Sequence, residues 1–208
     1  MRRLLISVVI IAGLLVGADF GLRVYSESVV ARELENGLSL SDRPDVSIDG
    51  FPFITHLMSG DFPEATMKAD SIRAGGIPFS RVRVTLHQVS FAASRLIFQG
   101  KGTIHAARGS GTAALTASEL SNALHDQGVP FDVSFKDGKL VLSDQLTSAE
   151  VNASVHARSI EIRSPAGQTV TLPLPELLPG VTFAGIRVEG GRAVLGLRFV
   201  NADFPVSD

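Results

Sequence analysis

The chain has no cysteine among its 208 residues, which removes disulfides, thiol nucleophiles and zinc–thiolate centres together. Tryptophan is also missing, and tyrosine occurs once, at Tyr25. Twelve phenylalanines supply almost all the aromatic surface, so the large side chains have no polar tip. Charge is sparse: Asp, Glu, Lys and Arg make up 19% of the chain, and the net charge is −2. With no basic stripe to offset that balance, nucleic acid is not an expected partner.

Catalytic signatures are wanting too. There is no G-x-S-x-G, no H-E-x-x-H and no P-loop, and "GKGTIH" lacks the third glycine of a dinucleotide fingerprint. His56, His87, His105, His125 and His156 are scattered singly, with no pair at metal-ligand spacing. Asp49, in "IDGF", reads as a turn former that accepts backbone N–H bonds. Asn152-Ala-Ser154 matches a glycosylation sequon, which alone carries little. The expectation is a protein that is not an enzyme and needs no cofactor and no metal.

What is present is apolar. "MRR" precedes "LLISVVIIAGLLVGA", residues 4–18, a basic start followed by a short hydrophobic region. At 1.5 Å per residue this run spans about 22 Å, short of a hydrocarbon core of about 30 Å. Two readings stay open: a signal peptide over 1–18 cut near Ala18, or a retained membrane anchor over 4–22. Both export residues 19–208, expected as a single domain in the extracytoplasmic cell envelope.

From Asp19 to Leu38 the spacing predicts a helix ending at Asn36-Gly37, with Phe20, Val24, Ala31, Leu34 and Leu38 on one side. Leu22, Tyr25 and Val29 lean the other way. Most of the remainder alternates as strands. Val82, Val84 and Leu86 share a face, and Val89 and Phe91 continue in the opposite phase, predicting a bulge or bend. "RLIFQGKGTIHAA" and "GTAALT" read as strands joined at "RGSG". Thr116-Ala-Ser-Glu119 is a capping box opening a second helix that Gly128 stops. Asp137-Gly138 and Gly190-Gly191 are hairpin turns. "AEVNASVHARSIEI" continues the strand pattern with Val151, Ala153 and Val155, then Ile160 and Ile162. Two or three helices and eight to ten antiparallel strands imply an α+β fold, a large curved sheet with helices packed on one face.

Two apolar stretches stand apart. "IDGFPFITHLMSGDF" contains a bend at Gly50 and Pro52, then a short helix capped by Gly60. Phe53, Ile54, Leu57 and Met58 are expected on one face of it, with Thr55, His56 and Ser59 on the other. "LPLPELLPGVTF" holds Leu172, Leu174, Leu177 and Leu178 among three prolines, which excludes a central strand. Either stretch could close a core or line the mouth of a cavity.

"SIDGFPFITHLMSGDF", "ALTASELSNAL", "GVPFDVSFKDGKLVL" and "LLPGVTFAGIRVEGGRAVLGLRF", in that order, resemble the LmeA-like phospholipid-binding proteins of actinobacterial cell envelopes. The resemblance implies a tubular lipid-binding fold, similar to the TULIP and BPI-like proteins, in which a curved antiparallel sheet wraps a long N-terminal helix. It implies phospholipid and a membrane surface as partners, names no protein partner, and implies a role that supports envelope glycan or lipid maturation. Phe51, Phe53, Leu57, Met58, Leu172, Leu174, Leu177 and Leu178 are the candidate lipid-contacting residues. A non-catalytic envelope scaffold with a solid core is the alternative, and an envelope-polymer hydrolase or glycosyl-transfer accessory is a third reading.

Overall fold

The computed structural model describes residues 2–37, 40, 42–74, 77–92, 102–144, 147–156, 158–164, 167–176 and 178–206, with backbone alone at 2–11, 37, 74, 205 and 206. The architecture is α+β. Helix α1 (Arg2–Gly37) leads into strand β1 (Asp45–Asp49), helix α2 (Phe53–Ser59) and strands β2 (Asp61–Ala74), β3 (Ile77–Phe91) and β4 (Gly102–Leu115). Helix α3 (Ala117–Asp126) follows, then β5 (Asp132–Lys136), β6 (Lys139–Ser143), β7 (Ser148–His156), β8 (Ser159–Arg163) and β9 (Thr169–Pro173). A long hairpin, β10 (Val181–Glu189) and β11 (Arg192–Val206), ends the fold.

The strands form two antiparallel sheets. One has six strands in the order β1-β2-β3-β4-β11-β10, and the other has five in the order β5-β6-β7-β8-β9. The six-stranded sheet is curved and open, with β1 and β10 as its edges. Local chemistry accounts for the turns. Asp137 and Gly138 have φ of 50° and 75°, and Gly190 and Gly191 have 56° and 69°, the left-handed pair that a two-residue hairpin requires. Thr116 accepts from Glu119 N while Glu119 accepts from Thr116 N at 2.6 Å, so the capping box closes as its sequence predicts. Pro173 sits at the end of β9, an edge strand, where a missing N–H costs no ladder bond.

Two expectations need revision, and one stretch resolves into two strands. "RGSG" is no turn: Arg108 to Gly111 run through the interior of the unbroken strand β4. The glycines serve close approach instead. A Cβ on Gly109 would lie 2.7 Å from the Thr85 carbonyl oxygen, and one on Gly111 would lie 2.9 Å from that of Arg83. "AEVNASVHARSIEI" forms two strands, β7 and β8, paired back on each other, so Val155 faces Ile160. On α1, Phe20 and Val24 are 66% and 50% exposed, away from the packed side. That side is chosen by polar bonds as much as by apolar area: Asp19, Arg23 and Glu27, spaced four apart, face β1 and α2. Leu22 and Val30 pack beside them, and Leu38 lies outside the described residues. Among the described residues no helix is long and apolar enough to cross a membrane.

The change of phase in β3 is real, and it is shared. Registers place Pro63, Gln88, Ala107 and Asn201 in one transverse row across β2, β3, β4 and β11. Gln88 and Asn201 are left-handed, with φ of 53° and 46°. On each strand the inward side chains flanking the row are three residues apart instead of two: Phe62 and Ala65, Leu86 and Val89, Ala106 and Gly109, Phe199 and Ala202. The pairing register does not shift at the row. All four strands therefore change face together, and the sheet creases there.

Candidate functional site

Along its inner face the six-stranded sheet passes through three zones. At one end α3 seals it. Leu120 and Leu124 of α3 are wholly buried, together with Leu115 and Leu195 of the large sheet and Ile160 and Ile162 of the small one. At the other end a smaller cluster gathers Ile48, Phe53, Phe62, Val89 and Ala106. Between the two clusters lies a cavity of about 380 Å³, within the range of small-molecule pockets.

Each wall of the cavity has a sequence origin. The centre of the sheet contributes Val84, Leu86, Phe91, Ile104 and Phe199, the inward residues on both sides of the crease. The edges contribute Val46 and Ile48 from β1 and Val181 and Phe183 from β10. Helix α1 contributes Val30 and Leu34, one turn apart on a single face. Pro175 and Leu178 complete the lining from the segment before β10. Leu178, 43% exposed, is the lining residue most open to solvent and marks the opening. Thr66 is the one polar residue in the lining, and by strand alternation its hydroxyl turns to the opposite face of the sheet, 3.5 Å from that of Thr85. The floor is low because Gly109 and Gly111 place no side chain beside Leu86, Val84 and Phe199.

The hook divides into two halves. Phe53 is 1% exposed and packs on Phe62 at a ring separation of 5.4 Å. Phe62 stacks on Phe91 at 5.0 Å and 6°, and Phe91 lines the cavity. The hook thus closes one end of the cavity through a ladder of three rings. Leu57 is half-buried against the same cluster. Phe51, Ile54 and Met58 point the other way, at 73%, 50% and 85% exposure, so the expected apolar face is split between core and solvent. The Phe51–Pro52 bond is cis.

Anchoring of the hook is remote. Pro52, the N-cap of α2, makes no side-chain cap bond. Asp19 of α1 supplies it: its two carboxylate oxygens accept from Phe53 N and Ile54 N, each at 2.8 Å. One and two turns further along α1, Arg23 donates to Asp49 at 2.8 Å, and Glu27 accepts from Ile48 N at 2.8 Å. The hydrogen bond to Glu27 raises the Arg23 pKa above its already high ordinary value; burial opposes the rise, and the Glu27 and Asp49 charges add to it. Gly60 ends α2 in a left-handed conformation (φ 78°), and a Cβ there would meet the Phe91 carbonyl oxygen. Asp49 thus serves as the anion of an ion pair to α1.

The candidate lipid contacts are spread over these environments. Leu178 lines the cavity. Leu172 and Leu174 belong to the sealed core beneath α3, at 1% and 5% exposure. Phe53 and Leu57 close the hook end, Phe51 and Met58 face solvent, and Leu177 lies outside the described residues. Most lining residues were not singled out from sequence. Their signal was an apolar strand face with glycine and alanine on the central strand, and core packing gives the same pattern.

None of the five histidines is among the lining residues; His87 pairs with Glu64 at 3.1 Å and His105 with Asp203 at 2.7 Å, while His56 Nδ1 meets the Asp61 carbonyl oxygen at 2.8 Å. Against known proteins, no curated protein and no solved structure matches. A family model described as LmeA-like phospholipid-binding matches residues 17–208, from the last turn of the apolar run to the C-terminus. The chain belongs to the LmeA-like phospholipid-binding family.

Proposed function

We propose that the protein holds a phospholipid by its acyl portion in the cavity between α1 and the six-stranded sheet, and carries it within the cell envelope in support of envelope glycan or lipid maturation. The supporting observation is the cavity of about 380 Å³ lined, apart from Thr66, by apolar residues. Each methylene kept from water is worth about 0.8 kcal/mol, so an acyl chain leaves a bilayer only for a comparably apolar refuge. Val, Leu, Ile and Phe walls provide that without exact geometry. Such a wall offers no group to activate a nucleophile, and the role proposed is carriage without a chemical step. The domain works outside the cytoplasm, held at the membrane by residues 4–22 or released after cleavage near Ala18.

Native mass spectrometry of the purified chain, followed by lipid extraction, tests this reading. A bound species with phospholipid mass is expected, as is uptake of a fluorescent phospholipid from vesicles. A protein that carries no lipid and takes none up overturns it.

A further inference from the structure

Asp19 is the first residue after the uncharged run 4–18, and its carboxylate holds the hook by two hydrogen bonds of 2.8 Å. The helix is continuous through this point, from Arg2 to Gly37. The hook is therefore fixed to α1 at the level where the apolar run stops. Leu15 and Val16 stand four and three residues before Asp19, on the same face of α1 and one turn beyond the hook, and they are 67% and 54% exposed. The hook itself turns Phe51, Ile54 and Met58 outward. No Asp, Glu, Lys or Arg occurs from Phe51 to Ser59 or from Leu4 to Ala18.

We infer that the hook and the N-terminal part of α1 form one docking surface for a phospholipid bilayer, with Phe51, Ile54 and Met58 seated among the head groups. Two features select a bilayer over a protein. The run 4–18 carries no charged residue and one hydroxyl, Ser7, in its sequence, and a single protein face covers only a stripe of a helix. Its length, about 22 Å, suits burial in lipid to most of the depth of a hydrocarbon core of about 30 Å. Asp19 then sits at the water boundary with its charge already satisfied by the α2 amides. On the inner side of the hook, Phe53 contacts Phe62, which stacks on the cavity residue Phe91, so docking brings one end of the cavity to the leaflet. The inference rests on the phospholipid reading above, because it names the membrane that would supply the lipid.

The absence of tryptophan makes the test clean. Full-length F51W, M58W and, as a control on the β5–β6 hairpin, K136W are reconstituted with vesicles of equal parts phosphatidylcholine and phosphatidylglycerol. Emission of F51W and M58W is expected to shift to the blue and to be quenched by brominated lipid, with K136W unchanged. Adding D19A to F51W should weaken the quenching, while a reporter on α1 itself, F20W, keeps its own. Unchanged emission from F51W and M58W overturns the inference. So does a shift that appears without vesicles and grows with protein concentration, since that marks a second copy as the occupant. Native mass spectrometry on the same F51W sample separates the two readings. Docking with an empty cavity supports the surface and removes the carrier. A lipid-filled protein whose hook is not quenched removes the surface alone.

Discussion

Helices α3 and α1 both face the inner side of the six-stranded sheet, and they cover it differently. Beneath α3 the side chains interlock: Leu120 and Leu124 are wholly buried against both sheets. Beneath α1 a row of polar bonds runs along the margin, through Asp19, Arg23 and Glu27 to β1 and α2, beside the apolar contacts of Leu22 and Val30. Val30 and Leu34 reach inward, and the cavity lies before them. A helix that docks by its apolar stripe seals a core. One that docks by a row of hydrogen bonds can stand off and leave room. The same sheet thus stabilises the fold at one end and borders a cavity in the middle.

The sharpest way to break this comparison is to truncate a leucine on each side. Leu124→Ala should cost about 2–5 kcal/mol, lowering the melting temperature by several degrees without changing lipid bound per folded molecule. Leu86→Ala, whose side chain already borders empty space, should cost about 1 kcal/mol. Equal losses in urea titrations would mean that the cavity wall is packed like the sealed end. Filling the space is the complementary change. Ala65→Phe, on the cavity wall, should cut lipid occupancy by half or more in native mass spectra, with stability altered by about 1 kcal/mol or less. Undiminished occupancy would place the lipid elsewhere.

The two helix caps give a finer contrast. Thr116→Ala and Asp19→Ala should each cost about 1 kcal/mol. Hydrogen exchange tells them apart: loss of the local cap lowers protection throughout α3 and the sealed core, and loss of the remote one frees the amides of Phe53 and Ile54 alone. Smallest is a pH effect within the five-stranded sheet. Lys139 hydrogen-bonds Glu150 and holds its carboxyl below the usual value, the folded pKa being the lower. Its contribution is therefore present above the ordinary carboxylate range and lost as pH falls through the folded value. Glu150→Gln should slightly flatten the acid limb of the stability profile, and an unchanged limb would show the pair to be inert.

Features set by neighbours in sequence were legible: the capping box at Thr116, both hairpin turns, the hook helix and its Gly60 cap, and the α+β class. Features set across the fold were not. Asp19 caps a helix that starts 34 residues later, and no local pattern announces that. Gly109 and Gly111 read as a turn because glycine marks both turns and close strand contact. The residues that line the cavity escaped because a strand face lining a void has the same hydropathy as one lining a core. The split of the hook into Phe53 inside and Phe51 outside lay equally beyond periodicity, since both faces are apolar.

The transverse row through Pro63, Gln88, Ala107 and Asn201 has a geometric consequence. A sheet coiled about one axis makes a gutter, open at both ends. A fold line across the strands adds curvature in the second direction and turns the gutter into a bowl. Lipid in a gutter could thread through from end to end. Under the proposed function, lipid in a bowl would come and go over the rim, at the opening that Leu178 marks.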